Sequence, residues 1–165
     1  MEEIRFRPIG VVHSPFATPA DAPRQPRLSG DAAGTVEVFP EYIDGLKDLD
    51  GFSHIILLCY LHLVDGYSLD VTPAWDGQRR GLFSTRTPRR PNPIGLSIVR
   101  LTRIEGGTVH VTGIDMVDGT PLLDIKPYVP PFDDEDRPEY GWLEGRIRGR
   151  SEKCLKDDTA GAGGT

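Results

Sequence analysis

Four segments of this sequence combine charged or reactive side chains with residues that fix the backbone. Pro23-Arg24-Gln25-Pro26 sets a guanidinium and an amide between two prolines, and prolines reduce the entropy lost when a loop becomes ordered. The segment reads either as a loop presenting Arg24 or Gln25 to a ligand or as a plain surface connection. The run Thr85-Arg86-Thr87-Pro88-Arg89-Arg90-Pro91-Asn92-Pro93-Ile94-Gly95-Leu96 is stiffer still. Pro91 and Pro93 fix their own φ and bias Arg90 and Asn92 toward extended geometry, while Gly95 permits close approach by another group. A stiff polar loop of this kind presents guanidinium, amide and carbonyl groups at fixed positions. Its plainer reading is a rigid connection whose prolines block edge pairing.

The third segment is Ile114-Asp115-Met116-Val117-Asp118-Gly119-Thr120-Pro121, followed by Asp124-Ile125-Lys126-Pro127-Tyr128. Asp118-Gly119 has the chemistry of a turn. Asp115 and Asp118 are also suited to accept hydrogen bonds from an ammonium or a ribose. Asp124 and Lys126 share strand parity and pair with each other in the plainer reading. The fourth is His54 and His62, which flank the apolar run Ile55 to Leu61. Eight residues of strand at ~3.3 Å each hold them roughly 26 Å apart, too far to share an ion. Neither they nor Cys59 and Cys154 form a metal-ligand or redox spacing, so no metal is expected.

Charge adds a direction. The net charge is −6, yet Gly77 to Ile104 contains no acidic residue and seven arginines: Arg79, Arg80, Arg86, Arg89, Arg90, Arg100 and Arg103. An acidic protein can still present one basic face to an anion such as nucleic acid. The longest apolar run is far short of a membrane span. The start, Met1-Glu2-Glu3-Ile4-Arg5, holds no apolar stretch of a secretory signal. These features favour a soluble protein of the cytoplasm.

The elements that must position these segments are short. Fifteen prolines and nineteen glycines disfavour long helices. Strands are expected at Ile9 to His13, Thr35 to Phe39, Ser53 to Leu63 (buried on both faces), Gly81 to Thr85, Leu96 to Leu101, Thr108 to Ile114 and Leu122 to Ile125. Gly106-Gly107 makes a hairpin turn, and Tyr42, Ile43, Leu46 and Leu49 fall at helical spacing. The fold class is mainly β: a small β-barrel, or a strongly curved sheet, of short strands with one or two short helices. It is not a Rossmann methyltransferase fold, because no glycine-rich turn joins an early strand to a helix. One domain is expected over residues 1–150, with residues 151–165 a disordered tail that has little to bury.

In this order the segments strongly resemble the TsaA-like tRNA (adenine-N6)-methyltransferases. The matching residues are Ile9-Gly10-Val11-Val12-His13-Ser14-Pro15, Pro23 to Pro26, Gly51-Phe52-Ser53-His54, Thr85-Arg86, Arg90 to Gly95, Asp118 to Pro121 and Asp124 to Tyr128. The resemblance implies a β-barrel, a homodimer, and S-adenosylmethionine bound near the subunit interface. It also implies N6-methylation of threonylcarbamoyl-adenosine at position 37, beside the tRNA anticodon. It assigns the cofactor to Pro26, Arg27, Leu28, His62, Leu63, Arg86, Leu96, Ile114, Asp115, Met116, Val117 and Asp118. Arg27 and Leu63 are not motif residues and would contribute through backbone. Arg89, Arg90, Asn92 and Lys126 are the expected substrate contacts. Asp118, His54 and Tyr128 are the candidates to receive the N6 proton. Two other readings are a methyltransferase of another RNA or a small molecule, and a non-catalytic S-adenosylmethionine- or RNA-binding module.

Overall fold

The computed structural model describes residues 3–23, 31–73, 77–133 and 139–143. The chain divides into two compact units, Met1–Tyr128 and Val129–Thr165. In the first unit β1 (Gly10–His13), β2 (Ala33–Val38), β3 (His54–Tyr60), β6 (Ile94–Glu105), β7 (Thr108–Thr112) and β8 (Thr120–Pro127) close into a barrel. The order around it is β1-β2-β7-β6-β3-β8, and every neighbouring pair is antiparallel. Two further short strands, β4 (Asp70–Val71) and β5 (Arg80–Gly81), pair with each other outside it. In the second unit the described residues include one helical turn, α1 (Pro130–Asp133), where Val129 N–H donates to Asp133 Oδ2 at 2.6 Å.

Period-two patterning explains the barrel. Val12, Val36, Ile55, Leu57, Cys59, Val99, Val109, Val111 and Leu122 are all at most 1% exposed and alternate with outward residues along their strands. In a six-stranded barrel this layer of aliphatic side chains fills the interior and leaves no lumen for a ligand. Any bound molecule must therefore sit at an end or on the outside.

Several sequence expectations change in detail. The apolar strand β3 is not buried on both faces: Ile55, Leu57 and Cys59 point inward, Ile56 and Leu58 are half-buried and Tyr60 is exposed. A closed barrel has a single interior, so a continuous apolar run must leave its other face outside. Gly81 to Thr85 is not a strand; after β5 the chain makes a 3-10 turn at Leu82–Ser84. The helical spacing at Tyr42 to Leu49 is realised as 3-10 turns, Pro40–Leu46 and Leu49–Gly51. The hairpin at Gly106 is present, with Gly106 at φ 59°. Strand β6 is twice as long as expected: Ile94–Arg100 pairs with β3 and Arg100–Glu105 with β7. Pro26, Arg27 and Leu28, and the tail 151–165, lie outside the described residues.

Candidate functional site

Because the strands alternate in direction, one end of the barrel gathers His13, Ala33, Tyr60, Ile94, Thr112 and Thr120, the strand termini from which the connections of interest depart. Three of those connections are tied together there. Leu61 N–H donates to Pro93 O at 2.8 Å, which fastens the end of β3 to the proline-rich loop. Arg89 Nη1 reaches Asp65 O at 3.3 Å. The third connection, Gly113 to Gly119, lies along the first half of β6, where Ser97 Oγ donates to Asp115 Oδ1.

Gly95 marks the meeting point. A Cβ placed on it would lie 2.8 Å from Leu61 Cδ2 and 2.9 Å from Met116 Cε. Only a residue without a side chain lets Leu61 and Met116 converge over this strand. The structure thus joins the neighbourhoods of His62 and Leu63, of Leu96, and of Ile114 to Asp118. Arg86 and Leu63 are exposed, and Leu96, at 58% exposure, projects outward beside the buried Ser97.

The Gly113–Gly119 connection is held by backbone bonds on both sides. Gly113 and Ile114 N–H both donate to Ala32 O, Asp118 N–H to Phe16 O and Gly119 N–H to Val12 O. Ser14 Oγ donates to Met116 O at 2.6 Å, and Ser14 N–H to Asp118 Oδ1 at 3.1 Å. Asp118 Oδ1 also lies 3.3 Å from His13 Nδ1, whose Nε2 is 3.3 Å from Glu37. Gly119, at φ 76°, completes the turn that Asp118-Gly119 announces. Burial holds the Asp115 carboxyl above its ordinary value, offset in part by the Ser97 hydroxyl and its own backbone N–H. Burial, with the Asp115 charge as a smaller cause, pushes the Cys59 thiol up to about 12, so it is un-ionised at neutral pH.

The other expected residues are not all here. Asp118 precedes β8 and Tyr128 follows it, so the length of that strand, roughly 25 Å, separates them. His54 begins β3 at the far end, stacked edge-on with Tyr128 at 6.4 Å between ring centroids. His54 and Tyr128 are therefore not brought to Asp118 within one chain. Lys126 pairs with Asp124 at 2.7 Å, the plainer of the two readings. Arg90 donates from Nη1 to Thr85 O at 2.9 Å and stacks over Phe83, so it stiffens its own loop. Asn92 O accepts from Ile94 N–H.

The seven arginines do not make one patch. Arg103 lies in the half of β6 that runs away from this end and pairs with Glu105 at 2.9 Å, whereas Arg100 stands between His54 of β3 and Thr112 of β7. Arg79 pairs with Asp70 at 2.5 Å. Sequence reasoning missed Ser97 and His13. A lone serine in an apolar strand gives no warning, and the partners of His13 are 24 and 105 residues away. A groove at the far end, lined by Tyr42, Leu46, Phe52 and Ile125, includes none of the expected cofactor residues.

Residues 11–134 match the model of the tRNA-methyltransferase O N-terminal domain. The chain belongs to that family. An S-adenosyl-L-methionine-binding protein of Archaeoglobus fulgidus is 45% identical over 128 residues, 78% of this chain and 91% of its own length. The tRNA (adenine(37)-N6)-methyltransferase of Mus musculus is 39% identical over 133 residues, 76% of this chain but only 31% of the mouse protein. The crystal structure of TrmO from Pseudomonas aeruginosa is similar with a TM-score of 0.74 at 34% identity, covering 94% of this chain and 76% of that one. The mainly β, closed-barrel architecture expected from the sequence is thus the architecture of the tRNA-methyltransferase O family. No helix among the described residues is long and apolar enough to cross a membrane.

Proposed function

We propose that this protein is an S-adenosylmethionine-dependent tRNA methyltransferase that N6-methylates threonylcarbamoyl-adenosine at position 37, working in the cytoplasm. The observation that carries the reading is the convergence of Leu61, Gly95 and Met116. It places side by side three of the segments that the family resemblance assigns to the cofactor. The residues suit a sulfonium compound: aliphatic and thioether walls, backbone carbonyls, and a half-buried carboxylate at Asp115. Ile114 to Asp118, His62, Leu63, Leu96 and Arg86 would hold it, joined by Pro26, Arg27 and Leu28.

When bound, S-adenosylmethionine supplies a methyl group from its sulfonium and leaves as a neutral thioether. What the chain contributes is alignment and exclusion of water more than acid or base strength. Arg90 fixes the loop from the inside, leaving Arg89 and Arg86 exposed toward an anionic substrate. Arg89 suits the carboxylate of a threonylcarbamoyl group, since a guanidinium binds carboxylate with two parallel hydrogen bonds. Of the three proton acceptors named from sequence, Asp118 alone stands at this end.

A homodimer belongs to the same reading. Tyr60, Ile94, Leu96 and Ile98 form a row of exposed apolar side chains on the outer face of β3 and β6, and a second copy covering it by two-fold symmetry would also wall the cofactor beside Leu96. The experiment that tests the function compares one anticodon stem with and without the threonylcarbamoyl group, using labelled S-adenosylmethionine and mass spectrometry of the nucleosides. Methylation of the modified stem only is expected. Equal methylation of both, or of neither, rejects the assignment and favours another acceptor or a binding module.

A further inference from the structure

One charged group at the candidate site has no cation paired with it among the described residues. Asp115 is half-buried between Ile114 and Met116, both buried, and its charge reaches the fully buried Cys59. Its hydrogen-bond donors are the Ser97 hydroxyl and its own backbone N–H. Among the described residues no lysine, arginine or histidine pairs with it, whereas Asp118 has His13 and Asp124 has Lys126. A carboxylate withdrawn from water without a cation is costly. Ser97 is itself 1% exposed and sits in a strand whose other inward residues are aliphatic. A buried hydroxyl aimed at this carboxylate fixes its direction and does little for the barrel layer.

We infer that Asp115, oriented by Ser97, is the counter-charge for the sulfonium of the methyl donor, and so lets the protein distinguish the donor from its neutral demethylated product. The inference rests on the reading of S-adenosylmethionine as the donor. The donor has a second positive centre, its ammonium, but the surroundings favour the sulfonium. An ammonium carries three N–H donors and requires acceptors for them. A sulfonium carries none and needs only negative potential and apolar contact, which Asp115, Leu61, Met116 and Gly95 together supply. As the methyl carbon bonds to the acceptor nitrogen and its bond to sulfur breaks, the sulfur takes the electron pair and loses its charge. The carboxylate is then unbalanced again, and the hold on the product weakens. Ground-state attraction of this kind favours binding of the donor and release of the product without speeding transfer itself.

The test is calorimetry with S-adenosylmethionine, S-adenosylhomocysteine and sinefungin, an analogue that carries an amine in place of the sulfonium. Both S-adenosyl compounds share the ammonium, ribose and adenine, so only the sulfonium separates them. The wild type should prefer S-adenosylmethionine to the homocysteine product. Asp115→Asn, which keeps an acceptor oxygen for Ser97, should lose about tenfold or more for S-adenosylmethionine and sinefungin and stay within about twofold for the product. Ser97→Ala should shift the same ratio in the same direction by less, and it carries the test if Asp115→Asn fails to fold. An equal loss for donor and product would mean that Asp115 serves a shared group or only the fold, and would overturn the inference. So would unchanged affinities. A wild type that binds none of the three compounds refutes the cofactor reading itself, a distinct outcome.

Discussion

The Ser97 hydroxyl donates to the Asp115 carboxylate across the junction between the first half of β6 and the connection from β7 to β8. It is a side-chain bond doing what a ladder bond does elsewhere in the barrel. It also keeps a partly dehydrated anion in place, and that has a consequence for stability. The folded-state carboxyl titrates above its ordinary value of 3.8. As pH rises past that value the unfolded chain ionises first, the folded chain holds more protons, and stability falls until the raised value is passed. Asp115→Asn should therefore melt at a higher temperature than the wild type at neutral pH. The advantage should vanish at about pH 3, where both carboxyls are protonated. Thermal melts across pH check this; a destabilised variant at neutral pH would contradict it.

Two glycines should respond differently to the same substitution. At Gly10 a Cβ would lie 2.3 Å from Glu37 O, in the backbone of the paired strand, where nothing flexible can yield. Gly10→Ala should cost about 3 kcal/mol or more, the upper range for overpacking. At Gly95 the obstacles are the ends of Leu61 and Met116, which can rotate away. Gly95→Ala should melt within a few degrees of the wild type while binding S-adenosylmethionine at least about tenfold more weakly. Paired melts and calorimetry on both variants decide it.

Arginines in the acid-free stretch should not contribute alike to tRNA binding. Arg89 is exposed on the proline-rich loop, while Arg103 pairs with Glu105 on the distant half of β6. Arg89→Ala should make the salt dependence of tRNA affinity shallower by roughly 0.7–0.9 in log-log slope, the share of one phosphate contact. Arg103→Ala should leave the slope unchanged. Titrations at several salt concentrations measure both, and equal effects would show that the whole stretch acts as one surface.

The outer face of β6 gives the assembly test. Ile98→Asp places a charge at one end of the exposed row Ile94, Leu96 and Ile98 without touching the interior, because position 98 points outward. A dimer that uses this face should dissociate to monomers at micromolar concentration in sedimentation, with the melting curve of the barrel otherwise preserved. A variant that sediments like the wild type places the interface elsewhere.

Much of the architecture was legible in the sequence because it depends on local chemistry. Alternation in Val109-His110-Val111 and β-branched runs such as Ile9 to His13 announce strands. Gly106-Gly107 and Asp118-Gly119 announce turns. The Arg90 to Pro93 run announces a connection of fixed φ, and the structure ties it to Leu61 through Pro93 O. Closure was expected from the family resemblance, whereas the stagger that gives β6 two different neighbours depends on register between distant strands and leaves no local trace. The same holds for Ser97, which meets a residue 18 positions away. Asp118, His54 and Tyr128 were candidates for one task by residue type and family motif, and neither carries distance. A strand carries its two ends apart, so β8 delivers Asp118 and Tyr128 to opposite ends of the barrel.

The connection from Gly113 to Gly119 crosses one end of the barrel from β7 to β8, strands that are not neighbours, and also carries the residues proposed to hold the methyl donor. Its amides at 113, 114, 118 and 119 are each held by a carbonyl from β1, from the residues that follow it, or from the approach to β2. Loss of these ties and loss of the proposed donor site are therefore a single event. Hydrogen exchange at those four amides should report both, and ligand that slows one must slow the other. Selection on this loop acts under two constraints at once: a change that improves the grip on a ligand is tolerated only if the ties to Val12, Phe16 and Ala32 survive.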